Sequence, residues 1–127
     1  MRSSRVAALS LSLTMLALSA CRSGNPYAME SRETTGAVLI VEDQNYADMD
    51  VYAVSGGLAT RVGTVSGLST QSFFLNRSLI DVEPIRIVAT PIGGNGRASS
   101  GNLTVGAGST IRFTIGTSLS QSHAIIE

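Results

Sequence analysis

Four carboxylates, Glu42, Asp43, Asp48 and Asp50, fall close together around Gln44, Asn45 and Tyr46. A calcium ion takes roughly six to eight oxygen ligands, and this stretch is rich in them. The spacing is not that of an EF-hand, which needs its repeated acids, a Gly and a distal Glu. The plainer expectation is a solvated loop between strands, with Asp and Asn side chains forming local turns. The four acids are thus weak metal candidates, and no cofactor is expected.

The rest of the chemical inventory is thin. His123 is the only histidine, the fifth residue from the end of the sequence, and there is no Lys. A hydrolytic triad needs a base oriented by an acid beside a nucleophile, and zinc wants several His, Cys or carboxylate ligands together. A lone His at a terminal, mobile position meets neither demand, so a surface or edge histidine is expected. No catalytic residue is assigned, and the chain does not read as an enzyme. Gly93-Gly94-Asn95-Gly96 is glycine-rich. A phosphate-binding loop must open a helix, and none is expected there. It reads as a long hairpin tip, a position where binding loops are often placed. Phe73-Phe74 puts one ring on each face of a strand, one inward and the other either covered by a loop or exposed as a contact.

The single cysteine, Cys21, has a more specific setting. Arg2 and Arg5 open the chain, and Val6 to Leu18 follows without a charge. That order is the plan of an export signal. The apolar run is short of the roughly 20 residues a membrane-spanning helix needs. It ends Leu18-Ser19-Ala20-Cys21. This resembles the lipobox of bacterial lipoproteins. The resemblance implies cleavage after Ala20, a diacylglyceryl group on Cys21, and residence in the cell envelope. Two or three acyl chains would hold the protein on a membrane, since one chain alone binds marginally. Arg22 is not the Asp that retains enteric lipoproteins in the inner membrane, so outer-membrane delivery is implied. Lipid on Cys21 also leaves no thiol for a disulfide, a nucleophile or a metal.

Removal of residues 1–20 would leave 107 residues, with seven Arg and nine acids. That is one domain with a modest core. A formal charge of −2 argues against nucleic acid as a partner. The absence of Trp weakens a sugar-binding reading. Residues 21–36 read as the lipidated Cys and a flexible tether, rich in Ser, Gly, Asn and mixed charge. Such a chain spans roughly 20 Å on average.

From Ala37 onward the pattern is that of strands. Seven are expected: 38–41, 50–54, 60–65, 71–75, 85–90, 103–105 and 110–115. Ser55-Gly56-Gly57 reads as a hairpin turn. Ile111, Phe113 and Ile115 alternate with Arg112 and Thr114, the mark of a half-buried strand. Ser78 to Val82 could hold a turn of helix. The fold class expected for 37–127 is all-β: a small antiparallel β-sandwich, immunoglobulin-like or transthyretin-like, behind a signal peptide and tether.

The stretches Val41-Glu42-Asp43-Gln44-Asn45, Asp50-Val51-Tyr52, Arg61-Val62-Gly63-Thr64-Val65 and Pro91-Ile92-Gly93 resemble those of short, uncharacterised envelope lipoproteins from GC-rich bacteria. That resemblance brings a single sandwich domain and no activity. The expectation is a non-catalytic interaction or structural module, anchored to a membrane and bound to another envelope protein. The alternative is an envelope lipoprotein that binds calcium or a small ligand.

Overall fold

A computed structural model describes residues 36–127. Leu18, Ser19, Ala20, Cys21 and the tether lie outside the described residues.

The chain forms eight strands: β1 (Gly36–Asp43), β2 (Met49–Ser55), β3 (Leu58–Val65), β4 (Thr70–Asn76), β5 (Ile85–Pro91), β6 (Ala98–Leu103), β7 (Thr110–Ile115) and β8 (His123–Ile126). A single helical turn, α1 (Arg77–Ile80), follows β4. The strands make two four-stranded sheets, in the orders β4-β1-β7-β8 and β3-β2-β5-β6. Alternate residues turn inward from both sheets, as the two-residue period of a strand requires. Leu39, Val41, Leu75, Ile111, Phe113 and Ile115 come from the first sheet, and Met49, Val51, Ala53, Val65, Ile85 and Ile87 from the second. The fold is the all-β sandwich expected.

Its order narrows the two expected architectures. In an immunoglobulin sandwich the first strand lies beside the second. Here β1 lies between β4 and β7, so the order departs from that of an immunoglobulin sandwich. Pairing is not wholly antiparallel, because β1 runs parallel to β7 from Val38↔Thr110 to Asp43↔Ile115. The two lie far apart in sequence, so no tight hairpin forces them antiparallel.

Further expectations are corrected. The sixth strand is Ala98–Leu103, not 103–105. It is hard to read because it is polar and bulged: two residues, Ser100 and Gly101, oppose the single Ile87, which breaks the alternation. Val105 is buried, but from the connection to β7. The eighth strand was not expected. It is four residues long, and its adjacent Ile125 and Ile126 give no alternation. His123 therefore sits in a strand, paired with Thr114, and not in a mobile tail. The helical turn ends at Ile80, with Asn76 Oδ1 accepting the Leu79 N–H, so it starts and stops earlier than 78–82. The first strand runs Gly36–Asp43, two residues longer at each end than the expected 38–41, and starts within the expected tether.

The expected hairpin turn is present. Gly56 and Gly57 both have positive φ, 57° and 79°, the conformation a two-residue turn between twisted strands demands.

Candidate functional site

The four acids occupy four different settings. Glu42 is on the outer face of β1 and accepts from Gln44 Nε2 at 3.1 Å. Asp43 is the next residue, so it points inward, and it is only 3% exposed. Its Oδ1 accepts the Asn45 N–H at 2.7 Å, while its Oδ2 has no partner. Burial pushes the Asp43 carboxyl above its ordinary value; the Asn45 N–H opposes the shift and Asp48 adds to it. Asp48 accepts the Gly67 N–H at 3.0 Å and so ties the β1–β2 loop to the β3–β4 corner. Asp50 lies on the outer face of the other sheet, bonded to Thr64 Oγ1 at 2.8 Å and Arg61 Nη2 at 2.7 Å. The Thr64 hydroxyl, then Arg61, hold its carboxyl below the ordinary value. Sequence proximity thus does not become a common site. Among the described residues, no group of three or more His, Cys, Asp and Glu converges to hold a metal.

Asn45 explains why the loop is ordered. Its side chain accepts the Ala47 N–H and donates to the Thr117 carbonyl, and its own carbonyl accepts the Leu68 N–H. These are the turn roles expected of Asx residues. The glycine-rich tip is exposed and leads into β6, a strand, so it lacks the helix a phosphate loop needs.

The two phenylalanines divide as their alternation dictates. Phe73 turns inward, packs on the core and lies against Gly63, where a Cβ would collide with its ring. Phe74 turns outward and is 57% exposed. It is not alone. Register places Phe74 opposite Val38, and Ser72 opposite Ile40. Ile40 in turn lies beside Arg112, and Arg112 beside Ile125. The outer face of this sheet therefore carries Phe74, Val38, Ile40 and Ile125 across four strands. Val38 and Ile125 are 40% and 50% exposed. Arg112, in their midst, is held by Glu127 at 3.2 Å.

The outer face of the other sheet is different. Asp50, Thr64 and Arg61 are joined there by hydrogen bonds, and Arg86 donates to Asn102 Oδ1 at 2.9 Å. A shallow cleft of about 310 Å³ lies at that end, between the Gly56-Gly57 turn and Glu83-Pro84. A solvated sheet face is normally polar, and the apolar residues this one also carries, Tyr52, Val54 and Val88, are none of them exposed. An apolar row exposed on the opposite face is the unusual feature, of the kind that marks a contact surface. It brings no nucleophile and base together. The signal was in the sequence: Val38-Leu39-Ile40-Val41 is apolar at both alternations, and only Leu39 and Val41 are needed for the core.

No protein-family model matches the chain, and no curated protein matches it. Its fold is similar to that of a protein from Eubacterium rectale solved by NMR, with 18% identity over 78% of this chain and 93% of that one, at a TM-score of 0.46. It is also similar to part of a Gram-negative toxin in a crystal structure, with 13% identity over 73% of this chain and 23% of that one, at a TM-score of 0.37. Neither likeness bears on what this chain does.

Proposed function

We propose that this chain is a membrane-anchored cell-envelope lipoprotein whose sandwich domain is a non-catalytic protein-interaction module. The observation that carries the interaction reading is the apolar row Phe74, Val38, Ile40 and Ile125 on one outer sheet face. Leaving such a row in water forgoes burial worth roughly 25 cal/mol per Å². A partner surface that covers the row recovers it.

The anchor rests on Leu18-Ser19-Ala20-Cys21 and the signal before it. Lipid on Cys21 would place the domain at a membrane surface, and Arg22 favours the outer membrane over the inner. Chemical crosslinking in living cells tests both parts, with adducts identified by mass spectrometry and Cys21→Ala as the unlipidated control. The native chain is expected in the membrane fraction with a reproducible envelope-protein adduct. The control is expected to lose both. A native chain that is soluble, or has no adduct when correctly lipidated, contradicts the proposal.

A further inference from the structure

A two-sheet sandwich has four edge strands, and each edge offers unpaired N–H and C=O groups to any passing strand. Folded proteins guard such edges with bulges, charges, proline, or very short strands. Three edges here are guarded. β3 carries an extra residue, Val62, in a register shift opposite Val51/Tyr52, and the charged Arg61 beside it. β6 is bulged at Ser100-Gly101, and the Ser100 hydroxyl takes the Ile87 N–H that would have joined the ladder. β8 is only four residues long.

β4 has no such guard. It runs seven residues, Thr70-Gln71-Ser72-Phe73-Phe74-Leu75-Asn76, with no charge, no Pro and no Gly. Its register with β1 is unbroken from Gly36↔Asn76 to Glu42↔Thr70. Every second backbone N–H and C=O of an antiparallel edge strand faces away from its one neighbour. Among the described residues, no turn or loop backbone bonds to the backbone of residues 70–76. The first charge beyond it, Arg77, is paired with Asp81 at 3.1 Å.

We propose that β4 is a docking edge that pairs antiparallel with β4 of a second copy of this chain. This rests on the interaction reading above and names the partner. Like charges directly opposite one another destabilise a strand pair, and β4 paired with its own copy brings none together. Antiparallel self-pairing about a twofold axis matches each residue with an uncharged one. The pairing would make one continuous eight-stranded sheet. Phe74 of each copy would then lie beside the axis on one outer face, with Val38 and Ile40 one strand further out on either side. The contact is self-complementary, as a twofold interface must be. One strand pair is a small contact, so it is weak in free solution. Anchorage on a common membrane would raise the effective concentration and favour it.

The test uses the full chain in detergent, followed by sedimentation over a range of concentrations. A monomer–dimer equilibrium is expected. Ser72→Lys places a charge on the open edge and should weaken it by roughly tenfold or more, with an unchanged circular dichroism spectrum. Ser99→Lys, on the guarded β6 edge, should leave it intact. Independently, Ser72→Cys should give a covalent dimer on mild oxidation, while Ser99→Cys should not. A chain that stays monomeric throughout, or a dimer indifferent to Ser72→Lys, overturns the self-pairing. A monomeric chain that still crosslinks to a different envelope protein through Phe74 also overturns it, and leaves the interaction module standing.

Discussion

At the scale of single residues, the two informative carboxylates have opposite linkages to pH. Asp43 is buried with one oxygen unpartnered, and burial raises its carboxyl above the ordinary 3.8. Folding therefore favours its neutral form. The stability tied to Asp43 is full below 3.8 and is lost as pH rises through the raised folded value. Asp50 behaves the other way, because Thr64 and Arg61 bond its charged form. Its contribution is present above 3.8 and lost on acidification. Asp43→Asn removes only the first effect. That variant should melt above the native protein at neutral pH and converge with it well below 3.8. Melting curves at several pH values check this, and equal melting temperatures throughout would show that the buried charge costs nothing. Gly63 offers a second test. Its missing Cβ is what lets the Phe73 ring lie over β3. Gly63→Val should cost about 1–3 kcal/mol in denaturant unfolding, the usual penalty of overpacking.

At the scale of elements, β4 separates stability from contact within adjacent residues. Leu75 is fully buried and Phe74 is largely exposed. Leu75→Ala should lose about 2–5 kcal/mol, as core truncations do. Phe74→Ser should stay within about 0.5 kcal/mol of the native stability, yet reduce the yield of crosslinked partner in cells. Chemical denaturation of both variants, beside the crosslinking yield, separates the roles. Six of the eight strands were legible from β-branched runs, alternation and Gly turns. Those signals come from burying one face, so they are strongest where burial is greatest, as in Ile111, Phe113 and Ile115. β6 escaped because it is polar and bulged, and β8 because it is four residues long with adjacent isoleucines. The parallel β1–β7 pairing escaped for a different reason. It is a contact between distant segments, and no local spacing records it.

At the scale of the whole molecule, the acids show where reading along the chain stops being enough. Glu42, Asp43, Asp48 and Asp50 are neighbours in sequence, but strand alternation and sheet assignment send them to two outer faces, the core and a loop. The apolar contact row shows the converse. Phe74, Val38, Ile40 and Ile125 come from three separate segments and share one face only when β4, β1, β7 and β8 align. The opposite outer face, crossed by the Asp50–Arg61 pair and the Arg86–Asn102 bond, has the polarity of an ordinary solvated surface. The two outer faces differ in that one exposes large apolar side chains, Phe74, Val38 and Ile125, while Tyr52, Val54 and Val88 on the other are not exposed. Among the described residues, no helix is long and apolar enough to cross a membrane; the proposed attachment is by lipid on Cys21.

Site-specific photocrosslinking in living cells tests the central claim most directly. A photoreactive residue is placed at Phe74 in one chain, and at Leu58 in another, where an exposed apolar residue sits on the other sheet. A discrete adduct is expected from position 74 and none from position 58. Equal labelling from both positions, or no adduct from position 74 in correctly lipidated protein, would contradict the claim.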